Sequence, residues 1–398
     1  MLSLILSIIA LGLIITIHEA GHFLLAKLCG VGVVEFSLGM GPVLFSKVFG
    51  ATRYSLRILP FGGSCQMVGE ENEEESDEPP SPRAGVEEAL ETPEERKKRS
   101  DAIWIDGRPY PKTCQFVEKP AWKRFLIIAA GPVFNFLLAF LLSLVITAQA
   151  GYDKPQITTV EADMPAGEAG IRAGDVITGL SIGGGHQSKV LTARDVMLFL
   201  TVNQKKIAAK EPVTVYYERQ DAAKANDAGA GSAVLTPRYS ETTQSYRLGL
   251  SYNAGYVPAE GFGNLIRYSA HNVVYCINAT VESLKLLVTG QVGRGDVMGP
   301  VRMVATMDET VTEASDYGLW SVVMTLFDMM VLISGSLGAM NLLPVPALDG
   351  GRLVFILIEL ITRRAVPREL EGRIHAIGMI CLLALMVFIL LNDISFLL

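Results

Sequence analysis

Long apolar runs alternate with polar stretches along the chain, and four of the runs reach the roughly 20 residues, at 1.5 Å each, that a helix needs to cross a bilayer. They lie near residues 2–28, 125–149, 322–345 and 375–397 and are expected to be membrane-spanning helices. Between the first two, "VEFSLGMGPVLFSKV" and "TRYSLRILPFGGSCQMVG" alternate β-forming residues and end in glycine-rich turns, the pattern of strands in a small sheet or hairpin. Residues 70–100 then combine acidic runs with Pro79, Pro80 and Pro82, which predicts a solvated loop.

From 155 to about 252 the elements shorten. The segment reads as β-like "PQITTVEA", a turn at "DMPAGEAGIRAGDVI", a helix over "TARDVMLFLTVN" and strands "EPVTVYYER" and "SYRLGLSY", with "DAAKANDAGAGSA" as a hairpin loop between those strands. Together they make one small aqueous domain of mixed α and β type. Residues 262–290 are amphipathic and too polar to span, so they are expected at the membrane interface or packed on the helix bundle.

This organisation divides the chain into a first helix over 1–30, a β element over 31–69, an insert over 70–120, a second helix over 121–150 and the aqueous domain over 155–252. An amphipathic connection over 253–315, a third membrane segment over 320–350 and a fourth helix over 374–398 complete it.

Composition agrees with a membrane protein carrying an aqueous part: of 398 residues 50% are hydrophobic and 19% charged, and the mean hydropathy is +0.35. The net charge of -7 is concentrated in "GEENEEESDEPPSPRAGVEEALETPEE", so it says little about lipid partners and gives no sign of a nucleic-acid partner. Cys29, Cys65, Cys114, Cys276 and Cys381 are scattered without a CxxC, so neither a disulfide framework nor a cysteine zinc site is indicated. The first 25 residues lack the basic start and small-residue cleavage site of a secretory signal, and are expected to remain as a helix. Lysines and arginines crowd the first-to-second and third-to-fourth connections, including "RKKR" at 96–99 and Arg363, Arg364 and Arg368. The positive-inside rule then puts both connections in the cytoplasm and both termini and the long middle region outside.

One run carries chemistry. "LIITIHEAGHFLLA" places His18, Glu19 and His22 inside the first span, where an ionisable side chain costs roughly 2.5–3.5 kcal/mol on insertion scales. H-E-x-x-H on a helix sets two imidazoles one turn apart on one face, able to chelate Zn²⁺, with the glutamate close enough to deprotonate a metal-bound water. The alternative, a pair of satisfied core histidines, must meet the membrane penalty without a function to offset it. A catalytic zinc takes three protein ligands and an open position. His186, His271 and His375 are weak candidates for the third, because they fall in the aqueous domain, the amphipathic segment and the start of the fourth span. Asp349 in "MNLLPVPALDGGRLVF" is a better one: Pro344 and Pro346 break the helix before it and Gly350 and Gly351 permit tight turns after it. Unwound backbone at membrane depth is tolerated where it lines a cavity; the competing reading is a helix-end carboxylate in the headgroup zone. Asn341 is expected to contact substrate, and Asn135 in "AAGPVFNFLLAF" to cross-link helices.

With these residues placed, the chain resembles the site-2 protease family of intramembrane zinc metalloproteases (peptidase M50), most closely its bacterial RseP-type branch. The likeness rests on "HEAGH", "FSLGMGP", "LPFGGSCQMVGE", "AGPVFNFLLAF" and "NLLPVPALDGGRL" in that order. The resemblance implies zinc on His18, His22 and Asp349, Glu19 as general base and Asn341 as a substrate-binding residue. It also implies that the β element is membrane-re-entrant and presents substrate as an extended strand, and that the aqueous block is an extracytoplasmic PDZ-like domain admitting substrates already shortened by a first protease. The fold implied is four transmembrane helices with that β element and an α+β PDZ-like domain, in a bacterial inner membrane, with the active site towards the cytoplasm. Its partners would be the bilayer and single-span membrane substrates, of the anti-sigma-factor or leftover signal-peptide kind. The chain differs from some members in having one PDZ-like block, Ser336 where they have a second asparagine, and the acidic insert. Two other classes compete: a metal transporter, disfavoured because the second and fourth spans are almost free of ionisable residues, and a PDZ-based scaffold with a structural metal, which has no need of Glu19.

Overall fold

A computed structural model describes residues 2–70, 102–105, 108–219, 229–241, 243–253, 255–291 and 299–397. Most of the acidic insert expected over 70–120, including its acidic run and "RKKR", lies outside the described residues. The chain divides into two compact units, Met1–Ala139 with Gly293–Leu398, and Phe140–Val292.

The first unit begins with helix α1 (Leu2–Leu28), rich in leucine and isoleucine. Strands β1 (Val33–Phe49) and β2 (Thr52–Met67) follow as a long hairpin closed between Phe49 and Thr52. The hairpin folds back on itself, so that Glu35–Leu38 have partners on both sides, Arg53–Leu56 and Gly63–Gln66. The fold-back buries the start of β1 against the start of β2: Glu35 is ion-paired with Arg57 at 2.8 Å, and Thr52 donates to the Val33 carbonyl at 2.8 Å. The hairpin's outer strand is bare, with Leu44, Phe45, Val48 and Phe49 exposed and Leu56 and Ile58 exposed beside them.

The short hairpin β3 (Ala102–Ile105) and β4 (Arg108–Pro111) packs Ile103 and Tyr110 against Val34 and Val68. This hairpin lies in the far end of the 70–120 insert, beyond the 70–100 stretch read as a solvated loop, where aromatic and β-branched residues give a small sheet something to bury. Helix α2 (Ala121–Gln149) then runs through an apolar sequence that tolerates Pro132.

The second unit is built on a four-stranded sheet and two longer helices. A short helix α3 (Pro165–Glu168) leads through "AGIRAGD" into β5 (Val176–Ile182). The sheet runs in the order β8-β7-β5-β6, with β6 (Ser188–Lys189), β7 (Val213–Arg219) and β8 (Gly229–Leu235). β7 pairs with β8 from Val213↔Leu235 to Arg219↔Gly229. This corrects the expected loop and its partner: the end of "DAAKANDAGAGSA" is itself a strand, small residues at its start notwithstanding, and "SYRLGLSY" is left to short two-stranded pairings elsewhere. Helix α4 (Ala193–Val202) opens on a capping box between Thr192 and Asp195. The core of this unit is aliphatic, with Ile157, Ile177, Leu180, Val196, Val213 and Leu235 buried. Helix α5 (Phe262–Val288) is amphipathic. Tyr268 on it stacks on Tyr152 with centroids 3.7 Å apart.

Back in the first unit, the connection read as one amphipathic stretch over 253–315 contains a second helix, α6 (Pro300–Ser315). Its N-terminus is capped by Asp393, whose carboxylate accepts the N–H groups of Gly299, Val301 and Arg302. Helix α7 (Leu319–Leu342) stops at the proline-rich stretch, and a separate helix α8 (Asp349–Thr362) starts at Asp349. The third segment expected over 320–350 is thus shorter, and the sequence after it is helical because "GRLVFILIELI" is apolar on one face. Helix α9 (Arg368–Leu397) closes the chain, beginning several residues before the expected 374. Among the described residues four helices are long and apolar enough to cross a membrane: Ile5–Leu28, Ala121–Gln149, Leu319–Leu342 and Glu369–Asp393.

Candidate metal centre

His18 and His22 project from α1 one turn apart and are 7% and 6% exposed. Their Nε2 atoms lie 3.2 Å apart and the rings meet edge to face. The third donor comes from the far end of the sequence. The helix break over 343–348 returns the chain so that Asp349, first residue of α8, points its Oδ2 at both rings, 3.1 Å from His18 Nε2 and 3.4 Å from His22 Nε2. That return depends on Gly350, where a Cβ would lie 2.0 Å from the Leu343 carbonyl oxygen. His375 on α9 helps to hold the break: its Nδ1 accepts the Ala347 N–H at 3.0 Å.

The donor set fits zinc. Bonds of about 2.0–2.2 Å in a tetrahedron separate ligand atoms by roughly 3.3 Å, and the three separations here are 3.1, 3.2 and 3.4 Å. Asp349 Oδ2 is buried and accepts no hydrogen bond among the described residues, as expected where both Nε2 atoms turn lone pairs rather than protons towards it. His18, His22 and Asp349 are the one group of three or more such ligands that converge within 4.8 Å among the described residues.

One face of α2 backs the two imidazoles at four-residue spacing. The Ile127 carbonyl lies 2.9 Å from His22 Nδ1. At Gly131 a Cβ would lie 2.3 Å from His22 Nε2 and 2.8 Å from His18 Cε1, so glycine alone lets the rings lie against the helix. Asn135, fully buried, brings its amide within 3.1 Å of His18 Nδ1, and its backbone carbonyl accepts the Ser334 hydroxyl of α7 at 2.9 Å.

Glu19 lines the same cavity, of about 350 Å³, together with both histidines, Asp349 and the β2 stretch Gly63–Met67. Glu70, just beyond β2, is ion-paired with Arg352, one turn after Asp349; both line this cavity and a second one of about 530 Å³. Asn341 is half-buried in the last turn of α7 and is not among the residues lining the cavity that Glu19 lines. His186 is exposed in the turn before β6. His271 belongs to the second unit, where its Nε2 meets the Asp195 carboxylate at 2.8 Å. From the sequence, Gly131, Glu70 and Arg352 carry no expected role at this site. Their motifs, "AAGPVFN", "MVGE" and "DGGR", carried small and charged residues at odds with an apolar or turn setting, which was the available signal.

Two histidines and an aspartate with their donor atoms in ligand geometry, and a glutamate lining the same cavity, make a candidate metal centre of the kind that metallohydrolases use. The model of peptidase family M50 matches residues 6–385. The chain is 31% identical to a protein of Clostridium perfringens over 99% of this chain and 98% of the other. It is 30% identical to one of Clostridium acetobutylicum over the same shares. Both relatives are provisionally named zinc metalloproteases. The regulator of sigma-W protease RasP of Bacillus subtilis is 29% identical over 98% of this chain and 97% of its own. The chain belongs to peptidase family M50, the site-2 protease type. It is a zinc-dependent protease and a multi-pass membrane protein, and the transporter and scaffold readings fall away.

Proposed function

We propose that the protein is an intramembrane endopeptidase that cuts single-span membrane proteins, with His18, His22 and Asp349 as zinc ligands and Glu19 as general base. The observation that carries the reading is the convergence of the three donor atoms from α1 and α8 on the cavity that Glu19 lines. Zinc held there supplies Lewis acidity for a peptide carbonyl and for water. Glu19 takes a proton from water in the cavity and returns it to the departing amine, a role that typically contributes 10²–10⁴ in rate. The partly buried Asn341, eight residues before Asp349, holds the substrate chain as it approaches.

A helical substrate hides its carbonyls in its own hydrogen bonds, so it must be extended before it can be cut. Gly63–Met67, forming one wall of the cavity at the end of the hairpin, suits the addition of a substrate strand. The α+β unit, with its turn at Pro165–Asp175 leading into a sheet, supports reading 155–252 as a PDZ-like filter outside the membrane for substrates that a first protease has shortened. The cluster of basic residues in two connections supports a bacterial inner-membrane orientation with the site near the cytoplasmic face. The name of the Bacillus subtilis relative ties that protein to regulation of sigma-W, which favours anti-sigma-factor substrates over leftover signal peptides.

The test is zinc content alongside cleavage of a single-span reporter in reconstituted membranes, native chain against Glu19→Gln. Zinc kept by both, with cleavage reduced at least 100-fold in the variant, supports the mechanism; equal cleavage by both rejects Glu19 as the base.

A further inference from the structure

Asn135 is 0% exposed in an apolar membrane helix, a setting in which a polar side chain needs a partner to be tolerated. Its partner is the outer nitrogen of a histidine. We infer that Asn135 is a positioning residue for the metal centre, its amide oxygen accepting the Nδ1–H of His18 and so fixing the tautomer that leaves Nε2 free for zinc. The inference rests on His18 being a ligand through Nε2.

The argument turns on one proton. His18 Nε2 converges with His22 Nε2 and Asp349 Oδ2, so in the metal-holding form it presents a lone pair and the ring's single proton resides on Nδ1. The structure sets the Asn135 amide nitrogen, Nδ2, 3.1 Å from Nδ1 and leaves its Oδ1 buried with no partner among the described residues. The oxygen and nitrogen ends of an amide have nearly the same shape, and the hydrogen-bond pattern decides which faces a neighbour. An amide nitrogen there would oppose N–H to N–H, or else force the proton onto Nε2 and spoil the ligand. An amide oxygen accepts the Nδ1 proton and leaves the ligand intact.

His22 sets the precedent within the same site. Its Nδ1 lies 2.9 Å from the Ile127 carbonyl, an atom that can only accept. Ile127 and Asn135 lie eight residues apart on α2, with Gly131 between them beneath both rings. The helix thus offers each imidazole one acceptor, a backbone carbonyl for His22 and a side-chain carbonyl for His18. Such outer partners typically govern 10–100-fold in metal affinity. Ser334 fixes the Asn135 backbone to α7, the helix that leads into Asp349.

The experiment uses the full chain in nanodiscs and measures zinc affinity by chelator competition, with the absorption bands of the cobalt-substituted protein and the unfolding temperature of the metal-free form. Asn135→Leu removes the acceptor and is expected to weaken zinc roughly 10–100-fold and to shift the cobalt bands, with the metal-free unfolding temperature close to native. Asn135→Asp keeps an acceptor and no donor, and is expected to recover most of the affinity. Asn135→Leu binding zinc as tightly as the native chain overturns the proposal, as does Asn135→Asp proving as harmful as Asn135→Leu while still folded. Asn135→Ser, whose hydroxyl can accept, is the second variant if the carboxylate prevents folding: recovery relative to Asn135→Leu supports the proposal, and no recovery overturns it. His22→Ala separates the two levels. If it loses zinc, the site stands and the Asn135 variants judge the inference alone; if it keeps zinc, the ligand assignment fails and takes the inference with it.

Discussion

Gly131 makes room for the metal site by having no side chain. A methyl group there would meet His22 Nε2 at 2.3 Å, and the helix backbone behind it cannot retreat far. Gly131→Ala is therefore expected to turn both rings away from Asp349 and weaken zinc binding by at least 10-fold, read by metal content after dialysis against a chelator. The helix should survive, since alanine is the better helix former. His18, Glu19 and His22 were legible in the sequence because one turn of helix sets their geometry. The closeness of Gly131 and Asn135 to those rings was not, because each faces α1 from more than a hundred residues away and no local period encodes that approach.

Between elements, the link of α4 to α5 is electrostatic as well as apolar. Asp195 caps α4 through the Thr192 and Leu191 N–H groups and also receives His271 from α5. Burial alone would raise its carboxyl, but the His271 hydrogen bond and charge, with those backbone donors, hold it below the ordinary carboxylate value. A depressed value means that the carboxylate stabilises the fold above about pH 4 and that this stability drains away as pH falls through the lower, folded-state value. Thermal scans between pH 6 and 3 are expected to show a steeper loss for the native chain than for Asp195→Asn, which starts less stable and has no charge there to lose. The α4 helix was readable from its threonine start and apolar spacing. The break before Asp349 was readable from Pro344 and Pro346, but the new helix after it was merged with the loop, because prolines announce where a helix stops and not how soon another begins.

Across the whole molecule, each of the two units has a core of its own. In the second, Asp175 is 1% exposed and is gripped by Arg219 through two bonds of 2.8 Å, with the Arg172 N–H as a third donor. Asp175→Ala takes the carboxylate from the partly buried Arg219 guanidinium and from the Arg172 N–H, and is expected to cost that unit about 2–3 kcal/mol. Amide exchange over Val176–Arg219 should quicken while the zinc content of the chain stays at the native level. A parallel loss of zinc would show that the two units unfold as one. At this scale the four apolar helices were legible from length and hydropathy alone. The strand pairings of the aqueous part were not, because β8 opens on Gly-Ala-Gly-Ser, residues whose composition reads as a turn until a neighbouring edge gives them a partner.

The bare outer strand of the first hairpin bears on how the protein can be handled. Leu44, Phe45, Val48 and Phe49 are exposed beside Leu56 and Ile58, an oily ribbon with strand backbone along its rim. Stripped of lipid, two such ribbons would lie edge to edge, the route by which sheets aggregate. Preparations taken below the critical micelle concentration should therefore precipitate through this ribbon first, with its residues the earliest to gain protection from protease, while the metal site several strands away is still intact.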